Sequence, residues 1–337
     1  MMEYVVVTYL YLAILLYVVL GGADFGAGII EIFTSERNIS RTQKTLYHAI
    51  GPIWEANHMW LIIAVVILFV GYPSIYSILS VYLHIPLVIM LMGIIARGTA
   101  FVFRHYDAVK DDLQDVYNKV FRFSSFITPL FLGIIAGSTV SGHINIEADS
   151  FADAYIFSWL NPFSLAVGLF TVVLCGYLAS VYLVGEAKDE DDRRRFVKKA
   201  KRMNISAVVI GAFVFLVAVL DDIPLLKWVF ADAIGIIAVV AATVSLYAMW
   251  RTMGTVPVIV TRALAGFQVT MILLAISYAH FPDFVILNGG ENLSLMDNIA
   301  PISTMNALGW ALLLGSVFIL PALFYLYYSF QRKSQPI

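Results

Sequence analysis

The sequence predicts an all-α polytopic membrane protein with nine transmembrane helices, and three observations predict it. Of the 337 residues, 61% are hydrophobic and only 13% charged, against roughly 25% charged in an ordinary soluble domain. Nine apolar stretches are each long enough, at about 1.5 Å per helical residue, to cross a hydrocarbon core of about 30 Å. All but one of the 21 Lys and Arg residues fall in alternate connections between those stretches. A soluble chain of this length could not hide so much apolar surface, because polar residues must cover its outside.

The stretches run approximately 4–30, 51–70, 76–97, 121–140, 162–184, 204–221, 228–250, 257–280 and 305–329. The first lacks a basic leader and continues through Asp24, so it reads as a span and not as a cleaved signal. Gly51-Pro52 opens the second, where proline suits the first helical turn. The helix order suggests one membrane domain over 1–337: a four-helix group at 1–140, a second at 162–280, and a peripheral ninth helix at 305–329. No soluble domain, low-complexity tract or clear repeat interrupts this plan.

Charge then sets the orientation. Arg37, Arg41 and Lys44 lie in the first connection, and Arg97, Arg104, Lys110, Lys119 and Arg122 lie around the third. The fifth carries Lys188 and the run Arg193–Arg202, Arg251 and Arg262 flank the seventh, and Arg332 and Lys333 end the chain. Only Lys227 falls on the other side. The positive-inside rule therefore expects the N-terminus outside and the C-terminus in the cytoplasm. The net charge of −2 gives no reason to expect nucleic acid, and the basic run reads as a contact to anionic headgroups. The lone Cys175, inside an apolar run, excludes an intrachain disulfide and any CxxC site.

Ionisable groups at membrane depth are costly and mark function by default. Asp24 lies in Gly21-Gly22-Ala23-Asp24-Phe25-Gly26, where Gly22 and Gly26 make a small-xxx-small pair for close helix approach. Glu55 lies in Trp54-Glu55-Ala56-Asn57-His58-Met59-Trp60, with His58 three residues on and so on an adjoining helix face. Opposite chain directions put Asp24 and Glu55 at similar depth, near the inner boundary. Asp24, Glu55, Asn57 and His58 together suggest a hydrogen-bonded chain that passes protons. The alternative is structural: Asp24 ties helix ends, and Glu55 caps its helix or pairs with Arg97 or Arg122. Arg97 and Arg104 are expected to anchor the inner face through backbone carbonyls or lipid phosphates. His84, in the outer half of the third span, reads as a hydrogen-bonding residue. No two embedded histidines stand at matched depth, so a cytochrome carrying its own haems is disfavoured, and neither a metal nor a cofactor is expected on this chain.

The segment Ala23-Asp24-Phe25-Gly26-Ala27-Gly28, followed by Gly51-Pro52-x-Trp54-Glu55-Ala56-Asn57-His58-x-Trp60, resembles the N-terminal signature of subunit II of the bd-type quinol oxidases. The likeness continues through Arg97–Arg104, Asn161-Pro162-Phe163, Phe281-Pro282-Asp283 and Leu293–Asp297. It implies a haem-free subunit of a respiratory quinol:oxygen oxidoreductase of a prokaryotic plasma membrane, not catalytic alone. It stabilises a haem-bearing subunit I and contributes a cytoplasmic proton route. Haems b and d are expected in that partner, quinol is the substrate of the complex, and lipid, quinone and a small single-span accessory subunit are further partners. The match departs in three places. Many members carry a second acid just before the matching glycine, in a Thr-Asp-Gly-Phe-Asp pattern, where this chain has Leu20-Gly21-Gly22-Ala23-Asp24. Glu55 stands where others have Asp, and His58 where Gln or Glu is frequent. Trp54 and Trp60 are expected to pack helices or subunits. A proton-coupled secondary transporter is the competing reading of the same carboxylates.

Overall fold

The computed structural model describes residues 2–51, 54–106, 113–187 and 189–333. Pro52, Lys110 and Lys188, which served the helix-start and charge readings above, lie outside the described residues. Among those described, nine helices are long and apolar enough to cross a membrane: Met2–Ile32, Trp54–Gly71, His84–Arg104, Leu113–Ser141, Pro162–Glu186, Glu190–Leu220, Ala233–Thr252, Val258–His280 and Ile302–Leu326. They are called spans one to nine in that order.

Spans three and six depart from the sequence expectation, each for a local reason. The stretch expected at 76–97 divides into a short helix, Pro73–Tyr82, and a long one that begins at His84. Pro86 has no N–H to donate, and its ring crowds the carbonyl one turn before it, so the helix cannot run on from Tyr82. The His84 ring then bonds the Val81 carbonyl at the break, with Nδ1 at 2.7 Å. His84 therefore starts the third span instead of lying within it.

Span six extends far beyond the expected 204–221, as a single 31-residue helix. Its first turn holds Glu190, Asp191 and Asp192, whose charges favour a helix N-terminus. The basic run Arg193–Arg202 is thus helical rather than a loop. A polar helix, Glu36–Ile50, fills the first connection, and Arg41 ties it to Asp189 and Asp192 at 3.0 Å each. Span one is interrupted by a π-helical turn, Tyr17–Gly21, beside a Gly-Gly pair of the kind at which helices kink.

Small residues set which spans meet. Gly22 lies against Leu178 and Cys175, and a Cβ at Gly26 would fall on the Cys175 carbonyl and on Ala179. Gly28 meets Ser125, and Gly133 and Gly168 bring spans four and five backbone to backbone. Span five is the most enclosed, and span nine, against spans one and two, the least. Spans one, four and five meet at the centre, so the first-half and second-half helices share one packed body. At the end opposite the basic residues, Asp283–Val285 pairs with Leu293–Ser294 as a short antiparallel ribbon.

Candidate functional site

The charged residues at the basic end of span one organise the site. Asp24 and Glu31 are seven residues apart on one helix, two turns along nearly the same face. Arg97 and Arg104 have the same spacing on span three, which runs in the same direction. Two parallel rungs result. Arg97 holds Asp24 in a bidentate pair, Nη1 to Oδ2 at 2.8 Å and Nη2 to Oδ1 at 2.7 Å, and also donates to the Asp24 carbonyl at 2.9 Å. Its Nε reaches Ser125 Oγ on span four at 3.2 Å. Arg104 holds Glu31 through Nη2 to Oε1 at 2.7 Å and Nη1 to Oε2 at 3.2 Å. Arg122 and Gln43 complete the second rung at 3.4 and 3.1 Å from Glu31 Oε2.

Asp24, Glu31 and Arg97 are each only 1% exposed. Buried charge is tolerated when paired with good geometry and further hydrogen bonds, and both rungs meet that condition. Phe121 of span four lies between the rungs, its centroid 5.1 Å from the Arg97 guanidinium and 4.7 Å from that of Arg104. Its ring face adds cation–π attraction to each. Of the partners expected above, Arg97 does reach a backbone carbonyl, that of Asp24, but the main partners of both arginines are carboxylates of span one.

The second span meets this cluster through one residue. His58 Nε2 lies 3.8 Å from Asp24 Oδ2, and its ring packs near Phe25 and Trp54 at 5.7 and 6.3 Å. Asn57 is buried on the same helix. Glu55 is exposed on the outside of span two, and among the described residues no hydrogen bond or ion pair holds its side chain. The structure thus brings Asp24 and His58 together but leaves Glu55 out of the chain that sequence depth suggested. Depth along the membrane fixes how far in a residue sits; the helix rotation, fixed here by packing, decides which way it faces. The alternative partners for Glu55 are also corrected, because Arg97 and Arg122 are engaged by Asp24 and Glu31.

Trp54 packs on Phe101 at 5.4 Å and borders Gly98 of span three. Trp60 is buried in the core with Ala64 and Ile67. The histidines are dispersed: His84, His143 and His280 each place Nδ1 on a nearby backbone carbonyl. Among the described residues no group of His, Cys, Asp and Glu is arranged to hold a metal ion.

The family description "Cytochrome bd terminal oxidase subunit II" matches residues 2–330. The chain belongs to that family. A subunit 2 of cytochrome bd ubiquinol oxidase from Bacillus subtilis (strain 168) is 30% identical over 60% of this chain and 59% of its own length. A cytochrome bd-I ubiquinol oxidase subunit 2 from Escherichia coli (strain K12) is 25% identical over 50% of this chain and 44% of its own. The matches thus span about half the length of these curated relatives. In fold, the chain resembles a bd oxidase chain from Geobacillus thermodenitrificans with a TM-score of 0.68, at 20% identity, covering 96% of this chain and 98% of that one.

Within this subunit II fold, sequence reasoning missed Glu31, Gln43, Ser125 and Phe121. A usable signal was present for Glu31: the interval from Asp24 equals that from Arg97 to Arg104, on two spans of the same direction. Ser125 and Phe121 gave no such signal, since a serine and a phenylalanine in an apolar span look like packing.

Proposed function

We propose that this chain is the haem-free subunit of a respiratory quinol:oxygen oxidoreductase of the cytochrome bd type, in a prokaryotic plasma membrane. The family match across residues 2–330 carries the reading. Its partner is a haem-bearing subunit I, where haems b and d reside, and the complex oxidises quinol and reduces dioxygen to water. The chain is not catalytic alone. It stabilises the partner and conducts protons inward from the basic face, which is the cytoplasmic one, with the N-terminus outside.

In this reading His58 is the inner proton carrier and Glu55 is the collector one helical turn before it, on the exposed side of span two. Asp24, clamped by Arg97, is a fixed charge whose Oδ2 lies 3.8 Å from His58 Nε2. Asn57 supplies a buried amide on the same helix.

Gentle detergent purification from the native membrane, with a visible redox spectrum, subunit identification and quinol-driven oxygen uptake, tests the assignment. A haem-bearing partner and oxygen uptake are expected; a colourless, partnerless chain would refute it. In the purified complex, Glu55→Gln is expected to leave assembly and haem spectrum intact while slowing oxygen uptake by roughly tenfold or more, because positioned proton-transfer groups are worth about 10²–10⁴-fold. Full turnover would remove Glu55 from the route.

A further inference from the structure

Two buried polar atoms beside the Asp24–Arg97 pair have no hydrogen-bond partner among the described residues: the Tyr17 hydroxyl and His58 Nδ1. Buried polar groups are almost always satisfied by protein or by ordered water. The two rings pack together at the junction of spans one and two, with centroids 6.1 Å apart and planes inclined by 52°. Tyr17 is only 3% exposed, so bulk solvent does not satisfy it.

The local backbone explains why the tyrosine is there. Tyr17 opens the π-helical turn that ends at Gly21, and such turns occur often at functional sites. Its ring lies over Gly21, where an added Cβ would come within 3.1 Å of Cδ2 and Cε2. Gly21 therefore lets the ring lie toward Asp24, whereas long helical side chains ordinarily point back toward the N-terminus. Phe25, one turn beyond Gly21, closes the other side, with its ring 6.1 Å from Tyr17 and 5.7 Å from His58.

We infer that an ordered water bound between the Tyr17 hydroxyl and His58 Nδ1 extends the proton line past Asp24 towards the membrane centre, with Tyr17 as a relay residue. The inference rests on the proton-route reading above. Each step moves one proton between oxygen and nitrogen atoms and breaks no other bond. His58 takes a proton on one ring nitrogen and passes one from Nδ1 to the water. The water gives a proton to the tyrosine oxygen as the hydroxyl gives its own to a second water, the next acceptor of the line. A hydroxyl and a water each both donate and accept, so neither needs to remain charged.

Tyr17→Phe removes one oxygen and keeps the ring, so packing against Gly21 and Phe25 persists. The measurement is quinol-driven oxygen uptake by purified complexes in light and heavy water, for the unaltered protein, Tyr17→Phe and Glu55→Gln. Tyr17→Phe is expected to keep its haem spectrum, lose about tenfold in turnover and show a larger solvent isotope effect. Slower turnover with an unchanged isotope effect would mean a structural hydroxyl and would overturn the relay. Unchanged turnover in Tyr17→Phe, with Glu55→Gln slowed, would overturn it too and leave the entry route standing; two unaffected variants would end the route itself. Should Tyr17→Phe fail to assemble, a high-resolution map of the unaltered complex decides. Water density in hydrogen-bond reach of both Tyr17 and His58 supports the relay, and its absence overturns it.

Discussion

At the scale of single residues, the deciding fact is how Asp24 is held. Both of its oxygens and its backbone carbonyl accept from Arg97, and the pair is removed from solvent. Removing one partner of such a pair leaves an uncompensated charge in a low-dielectric interior, at a cost of about 3–5 kcal/mol. Asp24→Asn is therefore expected to reduce the yield of assembled, haem-containing complex several-fold; a heat-inactivation series on whatever assembles would show a lowered midpoint. A fully assembled, thermally normal Asp24→Asn complex with slow oxygen uptake would instead make Asp24 a proton carrier. His58 differs in kind: one ring nitrogen faces Asp24 and the other has no partner among the described residues. In the proposed route that difference makes His58 the carrier and Asp24 the fixed charge beside it.

Among elements, span one does the most. Its π-turn aims Tyr17, its last three turns carry Asp24 and Glu31, and its opposite face is cut back to glycine so that span five can approach. Gly26 sits where a side chain would collide with the Cys175 carbonyl, a backbone atom that cannot move aside. Overpacking a filled contact costs about 1–3 kcal/mol where side chains can yield, and more where backbone blocks the space. Gly26→Leu is accordingly expected to separate spans one and five and to prevent stable accumulation in the membrane, read by immunoblot of membrane fractions. Gly266→Ala, at a glycine with only Val19 Cγ1 nearby at 3.8 Å, should be tolerated in the same assay. Span six acts as a strut: its charged first three turns stand beyond the apolar segment and bind the polar helix of the first connection through Asp192 and Arg41.

For the whole molecule, the outward surface is apolar along spans two, three, six, seven and nine, with residues such as Phe69, Met92, Val209, Ile237 and Phe318 exposed. Water would not tolerate that surface, whereas lipid or a helical partner would. The basic end is expected to lie in the cytoplasm, so single cysteines placed at Asp149 and Glu36 in a Cys175→Ser background should label from outside and from inside respectively in sealed cells. The reverse pattern would invert the orientation.

What the sequence determined by itself was whatever depends on solvent and on order along the chain: the apolar spans, the gathering of basic residues in alternate connections, and the family signature around Asp24 and Trp54–Trp60. Those follow from local composition, because a stretch of about 20 apolar residues needs no partner to choose lipid over water. Only the tertiary structure decided which faces meet. The rotation of span two turned His58 towards Asp24 and Glu55 away from it. The parallel register of spans one and three matched Asp24 with Arg97 and Glu31 with Arg104, and the π-turn at Tyr17 placed its ring near that of His58. Those outcomes depend on helix rotation and crossing, which are set by glycine contacts between residues far apart in the chain and by no property of either helix alone.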